Sequence, residues 1–257
     1  MQGWKEGQRV GVGYMGGHCG YCENCRRGDF VNCQNQPISG TSTDGGYAEM
    51  MIAQASGLVA IPDDLLSTEA APLLCAGLTT FNGLRNSKAR PGELVAIQGV
   101  GGLGHLGIQF ARRMGFQVAA IARGPEKESL ARKLGAHHYI DSNAQDPVAA
   151  LQTLGGARLI LATAANSKSM SPLLGGLAPR GQLIVAGAGG NEPIEVDPVP
   201  LLFGMRSIAG TMTGSSIDAE DTLSFSSLQG IRPMIETYLE SRILSAGLDN
   251  MSRIALN

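Results

Sequence analysis

The fold of this chain is decided by residues 94–115, which read Leu-Val-Ala-Ile-Gln-Gly-Val-Gly-Gly-Leu-Gly-His-Leu-Gly-Ile-Gln-Phe-Ala-Arg-Arg-Met-Gly. Residues 94–97 form an apolar run without charge, which predicts a strand buried on both faces of a parallel sheet. Gly99, Gly101 and Gly104 follow at G-x-G-x-x-G spacing, and apolar residues at helical spacing come next, up to Gly115. A strand, a glycine turn and a helix in this order predict a dinucleotide-binding site.

Each glycine of this motif has a mechanical role in such a site. The first permits a tight turn, the second lets the backbone approach a pyrophosphate, and the third packs the helix against the strand. We expect the pyrophosphate to lie on the free N–H groups that open the helix, and we count Gly102 among the cofactor-binding residues. The alternative is a tight glycine turn without a ligand.

The chain beyond this motif continues to alternate between strand and helix patterns, which predicts an α/β fold with a doubly wound parallel sheet. The predicted strands are residues 117–123, 137–140, 157–163, 182–187 and 207–210, and the predicted helices are residues 67–85, 126–134, 146–154, 169–177 and 218–229. Before the glycine motif, we predict short strands at residues 9–14 and 47–52.

Four cysteines near the start of the chain have the spacing of a metal site. Cys19, Cys22, Cys25 and Cys33 form C-x2-C-x2-C-x7-C, a closed set of four sulfurs suited to structural zinc. Two disulfides would need an oxidising compartment, and bacterial ferredoxins place their fourth cysteine earlier, before a proline. We therefore favour zinc. The fifth cysteine, Cys75, lies in a predicted apolar helix, where a cysteine is usually a small buried hydrophobe.

The end of the second strand of the predicted sheet bears on the choice of dinucleotide. An NAD site places an acidic residue there, on the ribose 2′-hydroxyl, but this chain has Ala122 followed by Arg123. The planar guanidinium of Arg123 suits a 2′-phosphate, and Lys127 is placed to assist it. We therefore predict NADP(H), with NAD(H) as the alternative if Arg123 only faces solvent.

Composition excludes several classes of function. The 257 residues carry a net charge of −2 and no basic stripe, so we expect no nucleic-acid partner. No apolar run reaches the length of about 18 residues that spans a membrane, and the first residues lack the apolar core of a signal peptide. We expect a cytoplasmic protein without a membrane contact.

Taken together, these motifs resemble the zinc-dependent medium-chain alcohol dehydrogenases of the bacterial type. The resemblance extends to about Tyr238 and rests on the cysteine lobe (17–33), the glycine motif and three further segments, residues 44–49, 71–77 and 134–136. It implies three regions: a partial, mainly β, GroES-like catalytic domain with the zinc lobe (1–65), a Rossmann domain (66–214) and a C-terminal segment that partly returns to the catalytic domain (215–257).

The resemblance also implies roles for particular residues. Cys75 matches a ligand of a second, catalytic zinc, and Thr79 and Leu103 match residues beside the nicotinamide ring. Residues near its carboxamide edge are matched by Ala186, Gly187 and Thr211. The activity of this family is hydride transfer between an alcohol or aldehyde and the nicotinamide, with zinc as a Lewis acid.

The sequence departs from the family at the catalytic zinc. The family's other ligands, a cysteine before a small hydroxyl residue and a Gly-His-Glu segment, have no match here, and residues 239–257 do not match its usual end. We therefore expect an NADP-dependent dehydrogenase represented by an incomplete chain, or a catalytically inactive NADP(H)-binding zinc protein. A zinc-free quinone or enoyl reductase is disfavoured because those relatives generally lack the four-cysteine lobe. The expected partners are a small alcohol or aldehyde and possible further copies of the chain.

Overall fold

The computed structural model describes residues 3–189 and 191–237 of the chain. These residues form two compact units. One contains the described residues up to Thr79 together with those from Met212 onward, and the other spans Thr80–Thr211. The three regions expected from the sequence stay a prediction, and the expectation for residues 239–257 lies outside the described residues.

The first unit is built from short elements. Strand β1 (Val10–Val12) pairs antiparallel with β2 (Leu58–Ala60), and a single helical turn, α1 (Glu23–Arg26), lies inside the cysteine lobe. The helix predicted over residues 67–85 is confirmed, as α2 (Ser67–Pro72), a π-helical segment (Leu73–Gly77) and α3 (Leu78–Arg85), which crosses into the second unit. Strand β2 has three residues, too few to show a period of two in the sequence.

The strand predicted at residues 47–52 is wrong. These residues have no regular structure, and the side chains of Tyr47, Met50 and Ile52 are exposed. A strand is stable only when a neighbouring strand accepts its backbone hydrogen bonds. In the part of the chain that the structure describes, no strand pairs with this segment.

The second unit contains the predicted parallel sheet. Its six strands are β3 (Leu94–Gln98), β4 (Gln117–Ala122), β5 (His138–Asp141), β6 (Ala157–Ala162), β7 (Leu177–Val185) and β8 (Ser207–Gly210). They are hydrogen-bonded in the order β5-β4-β3-β6-β7-β8, all parallel. The chain order therefore reverses between β3 and β6, and ligands of such sheets bind at the carboxyl ends of the strands at that point.

Helices connect the strands of this sheet. They are α4 (Gly104–Arg113), α5 (Glu128–Leu134), α6 (Pro147–Thr153), α7 (Ser167–Met170) and α8 (Pro198–Phe203). Helix α6 begins where Asp146 accepts hydrogen bonds from the N–H groups of Val148 and Ala149 at 3.1 and 3.2 Å. Helix α5 ends at Gly135, whose φ of 114° gives a left-handed cap.

Two predictions between β6 and β8 need correction. The helix predicted over 169–177 is α7 followed by a 3-10 helix (Ser171–Gly176), because Pro172 and two adjacent glycines do not support a continuous α-helix. Strand β7 then begins at Leu177, five residues before the predicted start at 182. Helix α8 was not predicted, since its two prolines suggest a loop, although Pro198 occupies the first turn, where proline is tolerated.

The sheet supplies the main core of the second unit. All five residues of β3 are buried, and Ile160, Leu159 and Leu161 of β6 are fully buried beside them. Burying each such side chain contributes roughly 1.5–3 kcal/mol.

In the first unit, helix α9 (Ser216–Gln229) contacts the π-helical segment and β2, and its Glu220 accepts a hydrogen bond from the Ala60 N–H at 2.9 Å. Among the described residues, none of the helices combines the length and apolarity needed to cross a membrane.

Candidate cofactor and zinc sites

The glycine turn follows β3 and has the geometry that the motif predicts. Gly99 has a φ of 95°, in the left-handed region, and a Cβ there would lie 2.9 Å from Thr163 Oγ1. Gly104 begins α4, and a Cβ on it would collide with the carbonyl oxygen of Gly99. Gly101, between them, is exposed and has no atom within 4 Å of a Cβ position. The packing of the chain therefore requires the first and third glycines, whereas the space beside the second is open.

Helix α4 presents its amino end beside this turn. The first N–H groups of a helix have no intrahelical acceptor, and the helix dipole favours negative charge there. Two arginines, Arg112 and Arg113, lie in its last turn, where they complement the other end of the dipole. Inside the first turn, burial lowers the pKa of His105, so its imidazole is neutral near pH 7, and its Nδ1 lies 3.1 Å from the Gly101 carbonyl oxygen.

The carboxyl ends of the neighbouring strands bring further predicted residues to the same edge of the sheet. Ala186 and Gly187 follow β7 and donate N–H hydrogen bonds to the Ala162 carbonyl oxygen at 2.9 and 3.1 Å. Thr211 follows β8 and donates to the Val185 carbonyl oxygen at 3.0 Å. This edge therefore carries the glycine turn and the residues predicted near the carboxamide. Thr79 belongs to the other unit, where its hydroxyl donates to the Cys75 carbonyl oxygen at 2.9 Å.

The loop after β4 presents two cations to solvent. Arg123 and Lys127 are both exposed, and neither side chain has an ion pair or hydrogen bond with another described residue. The loop itself is held by β5: the Gly124 N–H donates to Asp141 Oδ1 at 2.7 Å, and the Tyr139 hydroxyl donates to the Gly124 carbonyl oxygen at 2.5 Å. These two supporting side chains were not predictable from sequence, because an acidic or aromatic residue at a strand end has many roles.

The four cysteines of the lobe come together as predicted. Their sulfur atoms all lie within 4.8 Å of one another, and the sulfurs of Cys19 and Cys25 are 3.9 Å apart. A zinc ion about 2.3 Å from four sulfurs at tetrahedral corners separates them by about 3.8 Å. The donor set and its spacing therefore fit structural zinc. None of these four cysteines forms a disulfide.

Hydrogen bonds distinguish the sulfurs of this set. Burial acts to raise the pKa of Cys19, but hydrogen bonds from Asn35 and from backbone N–H groups outweigh it and lower that pKa to about 6. The Asn35 side-chain nitrogen lies 3.5 Å from this sulfur, and the Cys22 N–H lies 3.4 Å from it. Burial raises the pKa of Cys25 to about 12, and the neighbouring sulfurs add to the effect. Four thiolates at this spacing repel one another, so the lobe needs a bound cation to keep all four ionised.

Cys75 is not part of such a group. It is an exposed residue in the π-helical segment, which marks functional sites in many helices. Within residues 3–189 and 191–237, the four-cysteine lobe is the one cluster of three or more metal-ligating side chains. A catalytic zinc needs three protein ligands, so the described residues do not fit that ion around Cys75.

Two family models and several curated relatives match this chain. The family model described as a zinc-binding dehydrogenase matches residues 102–227, and that of the alcohol dehydrogenase GroES-like domain matches residues 1–63. The alcohol dehydrogenase patD of Penicillium expansum is 47% identical over 235 residues, which cover 91% of this chain and 68% of the relative. An alcohol dehydrogenase of Geobacillus stearothermophilus is 38% identical over 234 residues, covering 91% of this chain and 69% of the relative.

Solved structures give the same assignment. The alcohol dehydrogenase of Pyrobaculum aerophilum has a TM-score of 0.82 and 26% identity, with 98% of this chain and 74% of that chain covered. The protein defined by this fold and these sites is a medium-chain dehydrogenase with an α/β dinucleotide unit. The chain belongs to the zinc-dependent alcohol dehydrogenase family, whose members are oxidoreductases acting on alcohols and aldehydes. It spans about two thirds of the length of the curated relatives that it matches.

Proposed function

We propose that this chain binds NADP(H) at the carboxyl edge of its parallel sheet and transfers hydride between it and an alcohol or aldehyde. The observation that carries the proposal is the open space beside Gly101, at the amino end of α4. In this proposal Gly99, Gly101, Gly102 and Gly104 cradle the pyrophosphate, and Leu103 lies beside the nicotinamide ring. Ala186, Gly187 and Thr211 then lie near the carboxamide edge of the nicotinamide, and the role of Thr79, which belongs to the other unit, stays a prediction.

The preference for NADP(H) over NAD(H) rests on the loop after β4. Arg123 pairs with no other described residue, so its guanidinium is free to pair with a 2′-phosphate. Lys127 adds a second cation. The backbone of this loop is already fixed by Asp141 and Tyr139, so little ordering is needed on binding.

Structural zinc in the cysteine lobe is the second part of the proposal. Cys19, Cys22, Cys25 and Cys33 would hold the ion, which would supply the charge that lets four closely spaced sulfurs remain thiolates. The Pyrobaculum aerophilum enzyme is described as cobalt- and zinc-bound, which supports a metal in this family member. Reduced cysteines at this spacing also suit the cytoplasm.

In this proposal the described residues supply an incomplete set of ligands for a catalytic zinc. Cys75 contributes one ligand, and the described residues do not complete a set of three ligands around it. An oxidoreductase acting through Cys75 therefore needs ligands from elsewhere. The second candidate function, an inactive NADP(H)-binding zinc protein, is favoured by the same observation. Alcohol-dependent reduction of NADP in the presence of added zinc would exclude this second function.

We further propose a small alcohol or aldehyde as substrate and assembly with further copies of the chain, without nucleic-acid or membrane partners.

The dissociation constants of NADPH and NADH test the cofactor assignment. We expect the wild type to bind NADPH at least about tenfold more tightly than NADH, because a charge-assisted hydrogen bond contributes about 1.5–3 kcal/mol. Arg123→Gln should raise the NADPH dissociation constant about tenfold and leave that of NADH within about twofold. Arg113→Gln, an exposed arginine at the opposite end of α4, is the matched control. Equal binding of both dinucleotides by wild type and Arg123→Gln would show that Arg123 does not select the cofactor.

A further inference from the structure

Thr163 lies where the order of the sheet reverses. It directly follows β6, which pairs with β3, the strand that ends at the glycine turn. Its N–H donates to the Gln98 carbonyl oxygen at 2.9 Å, and its hydroxyl donates to the same oxygen at 2.8 Å. The hydroxyl also lies 3.4 Å from the Gly99 carbonyl oxygen. The side chain therefore adds a second hydrogen bond at the first peptide of the turn.

The same residue limits the space at three of the predicted cofactor-binding glycines. Its hydroxyl oxygen would lie 2.9 Å from a Cβ on Gly99 and 3.3 Å from a Cβ on Gly104. Its carbonyl oxygen would lie 2.5 Å from a Cβ on Gly187. Real Cβ atoms essentially never come as close as 2.5 or 2.9 Å, and 3.3 Å is tighter than most Cβ contacts, so Thr163 packs directly against the backbone of the turn and of the segment after β7. It contacts both parts of the predicted dinucleotide site.

The segment that carries Thr163 is itself held by a partly buried polar contact. Gln98, which is 5% exposed, donates from Nε2 to Ser169 Oγ at 2.8 Å. Ser169 in turn donates to the Asn166 carbonyl oxygen at 2.8 Å. The Ser169 hydroxyl thus accepts one hydrogen bond and donates another. The end of β3 is thus linked to residues 163–169 through its carbonyl group and through its side chain.

We propose that the Thr163 hydroxyl is a positioning group that holds the Gly99 peptide so that the open side of Gly101 faces the pyrophosphate. This inference rests on the proposed NADP(H) site. It gives Thr163 no contact with the reacting atoms. The pairing of β3 with β6 does not depend on the hydroxyl, because the Thr163 N–H makes its own bond to Gln98. Removing the hydroxyl should therefore weaken binding more than it weakens folding.

The test compares Thr163→Val, which replaces the hydroxyl with a methyl group at nearly constant volume, with Thr163→Ser, which retains the hydroxyl. We expect Val to raise the NADPH dissociation constant about 3- to 10-fold, the range of one hydrogen bond, and Ser to stay within about twofold of wild type. Thr153→Val is the matched control, since the Thr153 hydroxyl also donates to a backbone carbonyl oxygen, that of Ala149 at 2.9 Å, at the end of α6. It should bind NADPH as the wild type does.

Two further measurements keep the outcomes distinct. Amide hydrogen exchange at residues 99–104, without ligand, should be faster in Thr163→Val than in wild type or Thr163→Ser, whereas a merely structural role would accelerate exchange throughout the unit. If Val lowers the melting temperature by more than about 5 °C, Thr163→Ala, which adds no methyl group, replaces it. If the wild type binds NADPH and the variant without the hydroxyl binds it with the same affinity, this inference alone is overturned. Absence of NADPH binding by the wild type would overturn the proposed function and this inference with it.

Discussion

Adding one methyl group at Gly101 separates binding from folding at the glycine turn. Gly101 is exposed, its φ lies outside the left-handed region, and a Cβ built on it has no atom of the chain within 4 Å. Gly101→Ala therefore removes no contact and creates no clash within the protein. Replacing glycine where the backbone permits alanine usually stabilises a protein by about 0.4–1 kcal/mol, because the unfolded chain loses freedom.

The expected effect on the ligand is opposite. If the pyrophosphate approaches the backbone at Gly101, the methyl group occupies the space that the ligand needs. We expect the NADPH dissociation constant to rise at least about tenfold, which corresponds to about 1.4 kcal/mol of lost binding free energy. The variant should thus be as stable as the wild type and bind more weakly.

Gly99→Ala is the informative comparison. Its φ of 95° and the 2.9 Å approach of a Cβ to Thr163 Oγ1 both oppose a side chain. A left-handed backbone alone costs about 1–2 kcal/mol for a non-glycine residue. This variant should lose both stability and binding. A lower melting temperature for Gly99→Ala, with no decrease for Gly101→Ala, would reproduce the difference that the geometry requires.

Isothermal titration calorimetry with NADPH and thermal unfolding without ligand measure the two quantities. A folded Gly101→Ala protein that binds NADPH with wild-type affinity would refute the reasoning, because the open space beside Gly101 would then have no ligand in it. Weakened binding accompanied by an equal loss of stability would also contradict it, since the methyl group would then act on the fold.

Two further predictions concern the zinc lobe and the buried histidine. Cys33→Ser should reduce zinc, measured by elemental analysis, from about one ion per chain to nearly none, because three sulfurs do not close the tetrahedral set, whereas Cys75→Ser should retain the ion. Equal zinc loss in both variants would contradict the assignment to the lobe. Burial holds the pKa of His105 below its ordinary 6.5, so the neutral form stabilises the fold above pH 6.5 and this contribution is lost as the pH falls below 6.5. Urea unfolding at pH 7.5 and 5.5 should show a larger loss for wild type than for His105→Gln, and equal losses would exclude His105 as the source.

The sheet was predictable because its strands and turns are encoded locally. Strand β8 has the predicted bounds, and β3 differs from its prediction by the one residue Gln98. The sequence pattern failed where a neighbour decides the structure. Residues 47–52 are mostly apolar, but a strand without a paired neighbour does not form. At Leu177 the strand starts early because it pairs with Ala157 of β6, a contact that no local pattern reports.

The same distinction applies to the sites. The cysteine set spans residues 19–33, so its spacing alone was enough to predict a cluster of sulfurs. Thr163 lies 65 residues from Gln98 in the chain and meets it only because β3 and β6 are neighbours in the sheet. Its alanine-rich surroundings, Leu-Ala-Thr-Ala-Ala, resemble an ordinary strand end. Knowledge of the strand order was therefore necessary to recognise it.

The two candidate functions share one requirement and differ in another. Both need NADP(H) on the glycine turn, and the residues proposed to bind it, apart from Thr79, lie within Thr80–Thr211. Only the dehydrogenase also needs further zinc ligands beside Cys75. Binding and turnover are therefore separate properties of this chain. Binding that depends on Gly101 without alcohol-dependent turnover would indicate that the dinucleotide unit functions without the catalytic metal. Turnover would require ligands that join Cys75 from beyond the described residues, and it should then be lost in Cys75→Ser while NADPH binding persists.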